Sequence, residues 1–192
     1  MDARISQTER TRLRDLAKRQ AEIAALPVMA ERERRWFDLN DGESDVKPPF
    51  IVETWTFNRD FLPDSVLQCE SADAKRIERV LLANIRRHEL IDDDTVIPNY
   101  FPTGPDIKID EFGVVIQREA IKDRDGIETG YRTIHPIDDL ENQLHLLKPA
   151  QCRYDRDATE ARTQFLDELL GDILPIKMTH WGLGGMFLTH RV

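Results

Sequence analysis

The sequence predicts an α+β fold: helices lead, β-hairpins fill the middle, and a short buried strand with a glycine-rich loop closes it. Three observations carry this. Apolar residues recur at the helical period near the start and again before Gly171. β-Branched and aromatic runs bounded by Pro, Gly and Asp occupy the middle. Finally, Ile173-Leu174-Pro175-Ile176-Lys177-Met178 is followed almost at once by His180-Trp181-Gly182-Leu183-Gly184-Gly185.

The first helix opens at Ser6-Gln7-Thr8-Glu9, which has capping-box spacing, and carries Leu13, Leu16, Ala17, Ile23 and Ala24 on one side. Pro27 stops or kinks it, because proline lacks the backbone donor and crowds the preceding turn. A second helix over 31–39 ends at Asn40-Asp41-Gly42. Residues 50–57 (FIVETWTF) read as a strand. A third helix is expected over 72–88, capped by Ser71 or Asp73, with Ile77, Leu81, Ile85 and His88 on its apolar side.

Further strands are expected over 95–101 and 113–121, with a hairpin turn at Asp125-Gly126 and a return strand over 131–134. Pro136 opens a helix to Leu147, with Asp138 and Asp139 near its positive dipole end. Another helix runs over 157–170, started by the pair Asp157 and Glu160 and ended by Gly171. The run 173–178 then reads as a short buried strand.

Composition narrows the function. Net charge is -9, which disfavours a phosphate backbone as partner, so no nucleic-acid role is expected. No apolar run approaches the ~20 residues that span a bilayer, and the N-terminus lacks a secretory core, so a cytoplasmic protein is expected. Cys69 and Cys152 are far apart and read as reduced thiols.

Most candidate chemistry falls away on spacing. The five histidines form neither HxH nor HExxH, no serine sits in GxSxG, and the acidic runs at 92–94 and 138–139 suit helix boundaries. Trp36, Trp55 and Tyr100 read as packing residues. No catalytic residue and no metal ligand is assigned. The substrate-binding candidates are His180, Trp181, Gly182, Gly184 and Gly185, since glycine after a buried strand lets main-chain N–H groups approach an anion. The same stretch also reads as a plain connection, because WGLGG is neither GxGxxG nor a phosphate loop.

Several segments, taken in order, resemble the N-terminal region of the uroporphyrinogen decarboxylase-like superfamily, in its corrinoid-dependent methyltransferase branch. They are Arg35-Trp36-Phe37-Asp38-Leu39-Asn40-Asp41, Cys69-Glu70, Asp94-Thr95-Val96-Ile97-Pro98-Asn99-Tyr100, His135-Pro136-Ile137-Asp138-Asp139-Leu140 and Gly171-Asp172-Ile173-Leu174-Pro175-Ile176-Lys177. The resemblance implies N-terminal helices and β-hairpins over 1–150 that lead into the first strands of a (β/α)₈ TIM barrel over 151–192. It implies zinc and a corrinoid protein for full-length relatives, with the zinc ligands on later strands. A barrel takes about 250 residues, so the expectation is a truncated barrel, with no cofactor held by this chain and no activity of its own. A corrinoid protein or a homo-oligomer is the expected partner. The alternative is a stand-alone, non-catalytic module that binds a corrinoid protein or a full-length paralogue.

Overall fold

The computed structural model describes residues 5–179, apart from Ser44, Val46, Glu111, Asp125 and Ile127. Helix α1 (Gln7–Ala24) opens with the expected box: Ser6 Oγ accepts the Glu9 N–H, and Glu9 Oε2 accepts the Ser6 N–H at 2.8 Å. Its buried stripe is Leu13, Leu16, Ala17, Gln20 and Ile23. Pro27 does not kink this helix; it takes the first position of α2 (Pro27–Asn40), where its missing N–H costs nothing. Gly42, at φ +80°, follows the end of α2.

The expected strand over 50–57 is absent. In its place is an irregular segment, then the one-turn helix α3 (Asn58–Phe61) and a 3₁₀ turn at Asp64–Val66. The backbone groups of Phe50 and Val52 bond to Asp93, Arg87 and both the side chain and the backbone N–H of Asp94 rather than to a neighbouring strand. Helix α4 (Ala72–Leu90) is capped by Ser71 and buries Ala74, Ile77, Leu81, Leu82 and Ile85. It packs along α1.

The expected strand over 95–101 shrinks to β1 (Phe101–Thr103). Met29 Sδ and a glutamine side chain hold the preceding stretch in place of a ladder. Two strands not anticipated from the sequence are β2 (Asp106–Asp110) and β5 (Gln151–Asp155), which pair antiparallel with Ile107 opposite Tyr154 and Ile109 opposite Cys152. Strands β3 (Gln117–Lys122) and β4 (Glu128–Ile134) form the expected hairpin, with an irregularity at Ile121/Lys122.

The helix expected from Pro136 to Leu147 is reduced to α5 (Leu140–Gln143) and a 3₁₀ turn at Leu144–Leu146. Asp139 caps α5, and most of the short helix is exposed, so nothing rewards extending it. Helix α6 (Arg156–Leu170) begins one residue earlier than expected. Asp155, not Asp157, accepts the Ala158 N–H at 3.0 Å. The chain turns off the end of α6 at 171–174, with Ile173 and Leu174 N–H groups donating to the Leu170 carbonyl, so the strand expected to be buried over 173–178 is only β6 (Ile176–Met178), half-buried at Ile176 and exposed beyond it.

The described residues divide into two compact units. The first holds everything up to Thr103 together with Glu160–Met178, and contains the hydrophobic core of α1, α4 and α6 with Phe101 and Leu174. Each Leu or Ile fully buried there contributes about 1.5–3 kcal/mol. The second unit holds Gly104–Thr159, with the β3–β4 hairpin and the β2–β5 pair, and Thr159 is its only buried residue among those described. Among the described residues the strands make three two-stranded sheets, of which only β1–β6 is parallel, and no barrel closes.

Candidate functional site

Four buried carboxylates dominate the first unit, and each is consumed by the fold. Glu78 Oε2 accepts the Gln68 and Cys69 N–H groups at 2.9 Å each, while Oε1 accepts Arg12 Nε at 3.1 Å. Burial alone pushes this acid upward; the Cys69 amide, Arg12 and the Gln68 amide outweigh it and hold the group below its ordinary range.

Asp93 behaves similarly. Burial raises it, and the Val52 amide, the Arg87 guanidinium at 2.7 Å and the Thr95 amide together lower it further. Asp94 is lowered first by the Phe50 amide and then, against burial, by Arg35, whose Nη1 lies at 2.6 Å. The acidic run at 92–94 was expected to serve the end of α4. Instead, two of its members pin residues 50–52. Carboxylates with this many donors are held ionised and are poor proton carriers at neutral pH.

Cys69 is buried, and that burial, followed by the nearby Glu78 carboxylate, pushes its thiol up to about 12. It is therefore protonated and inert as a nucleophile. His88 Nδ1 is buried without a hydrogen-bond partner among the described residues. A wide-open hollow of about 460 Å³ on α1 is lined by Gln7, Thr8, Thr11, Arg12 and Asp15, too flat to enclose a ligand. Among the described residues no group of three or more His, Cys, Asp or Glu could hold a metal ion. Among them, too, no helix is long and apolar enough to cross a membrane.

What remains is the parallel pair. Phe101 pairs with Ile176, Pro102 with Lys177 and Thr103 with Met178, and the Phe101 N–H donates to the Pro175 carbonyl at 2.9 Å. Because successive side chains alternate, Phe101 and Thr103 turn to the buried face while Tyr100, Pro102 and Lys177 share the other. On that other face the Lys177 ammonium sits 4.6 Å from the centre of the Tyr100 ring. Gln20 sets the approach to β1: its amide donates to the Pro98 and Tyr100 carbonyls and accepts from Asn84. Arg14 sets the approach to β6 by gripping Asp172 with both terminal nitrogens, at 2.7 and 2.6 Å, and the Leu169 carbonyl at 2.9 Å.

Tyr100 and Lys177 are therefore the pair that the β1–β6 register brings together and that spacing did not indicate. Tyr100 read as a packing aromatic, and the parity of two three-residue strands leaves almost no periodic signal. The substrate-binding candidates His180, Trp181, Gly182, Gly184 and Gly185 lie outside the described residues. No family model, curated protein or solved structure matches the chain.

Proposed function

We propose that this chain supplies the opening βα segment of a corrinoid-dependent methyltransferase of the uroporphyrinogen decarboxylase-like superfamily, acting as a binding and scaffolding element and not as a catalyst by itself. The observation that carries this reading is the parallel pairing of β1 with β6 over a crossover that ends in α6. Parallel neighbours joined through a helix are the repeating unit of (β/α) folds, whose ligands bind beyond the carboxyl ends of the strands. His180 to Gly185 follow β6 directly in sequence. The non-catalytic part of the reading is supported by the saturation of Glu9, Glu78, Asp93 and Asp94 and by the protonated Cys69.

A second reading, a stand-alone binding or assembly module, is favoured by the unit over Gly104–Thr159. That unit leaves Ile109, Val115, Ile121, Tyr131, Leu140 and Leu144 exposed. Two-stranded hairpins are marginal alone, and such side chains invite a covering surface.

Calorimetric titration with a methylcobalamin-loaded corrinoid-binding domain tests the proposal, with methylcobalamin absorbance followed in the presence of a thiol and zinc. The expected result is a 1:1 complex without demethylation. Turnover by the chain alone would overturn the non-catalytic reading, and failure to bind would overturn the methyl-transfer reading.

A further inference from the structure

The segment that fails to become a strand carries half of a ladder. Phe50 donates its N–H to Asp94 Oδ2 at 3.0 Å and accepts the Asp94 N–H at 2.9 Å. Val52 donates to Asp93 Oδ2 at 3.0 Å, and its carbonyl accepts from Arg87 Nη2. Ile51 and Glu53 lie between and beyond them, and neither makes a backbone hydrogen bond with any described residue. Exposure alternates in step: Ile51 and Glu53 are exposed, Val52 and Thr54 half-buried. Beside them Trp55 is 78% exposed. The inner side of the segment is fixed by three charged side chains and the Asp94 N–H, and the two donors and two acceptors of Ile51 and Glu53, alternating with these anchored groups, meet no described residue. An edge of this kind is a template for strand addition.

We infer that residues 50–54 pair antiparallel with the same residues of a second copy of this chain, about a two-fold axis at Val52. In that register Ile51 faces Glu53 of the second copy, and each such pair exchanges both N–H···O=C bonds, so all four open groups of each copy are matched. Val52 meets its own equivalent in the closely spaced position, and Phe50 faces Thr54. No like charges stand opposite one another, which matters in a chain of net charge -9 that otherwise repels its copies. A two-fold contact uses one patch twice and closes on itself, giving a dimer without open growth. Pro48 and Pro49 limit the ladder at one end, since a proline offers no donor.

Sedimentation velocity over a concentration series of the full chain tests this. The expected result is a monomer–dimer equilibrium that Ile51→Pro weakens roughly tenfold or more and Ile51→Val leaves in place. The Ile51 N–H bonds to no described residue, so the proline variant should keep the parent's melting curve. A monomer at every concentration, or a dimer unmoved by Ile51→Pro, overturns the inference. Should the proline variant unfold, hydrogen exchange on the unaltered chain decides. The Ile51 and Glu53 amides must slow as concentration rises, and exchange there that is independent of concentration overturns the inference.

Discussion

Glu9 on α1 accepts the backbone N–H of Ser71, the residue that caps α4, at 2.8 Å, so one carboxylate secures the start of two helices. Its Oε1 takes the Glu70 and Ser71 amides, while Oε2 takes the Ser6 amide and hydroxyl. The Ser71 amide is the largest of the influences that hold this acid at about 2, below its ordinary 4.5, against the opposing effect of burial.

Stability should therefore fall with acid. The group is depressed in the folded state, so the unfolded chain takes up its proton first. The stabilisation from Glu9 is complete above about pH 4.5 and is lost as pH falls toward 2. Glu78, Asp93 and Asp94 act in the same direction. Urea midpoints recorded from pH 7 downward check this. Glu9→Gln should lower stability at neutral pH by about 1–3 kcal/mol and flatten the acid limb.

Leu81 on α4 is fully buried in the hydrophobic core of the first unit. Leu81→Ala should cost about 2–5 kcal/mol, from lost transfer free energy and the cavity left behind. Chemical denaturation of the variant measures it.

Gly171 closes α6 where a Cβ would lie 2.7 Å from the Asp167 carbonyl oxygen, and a helix backbone cannot swing away as a side chain can. Gly171→Ala should destabilise by about 1–3 kcal/mol. The loss should be read as a lower thermal midpoint, with faster amide exchange in the last turn of α6.

The two thiols should separate cleanly in a reactivity assay. Cys152 is exposed on β5, whereas Cys69 is buried and held protonated near 12. A disulfide reagent should titrate one thiol in native protein and two in denaturant. Rapid native labelling of both would contradict the burial of Cys69.

The helices were legible because their signals are local. Ser6 with Glu9, Ser71, the stripe of Ile77, Leu81 and Ile85, and the stops at Gly42 and Gly171 each act within a turn or two, and α1, α4 and the ends of α2 and α6 follow from them. The strands were less so. Residues 50–57 have strong strand character, yet their backbone bonds go to Asp93, Asp94 and Arg87, partners about forty residues distant. β2 and β5 alternate Ile107 and Ile109, Cys152 and Tyr154 with charged or polar neighbours, a period-two pattern that would have revealed them. The Tyr100–Lys177 stack depends on two short strands far apart in sequence, which no local pattern encodes.

The central claim is that β1 and β6 are parallel neighbours in a βα unit, and isotope-edited NMR of the backbone tests it most directly. The account predicts parallel cross-strand contacts linking Phe101 with Ile176, and a Phe101 amide protected by its bond to the Pro175 carbonyl. An antiparallel pattern, or a Phe101 amide that exchanges as freely as a loop, would contradict it.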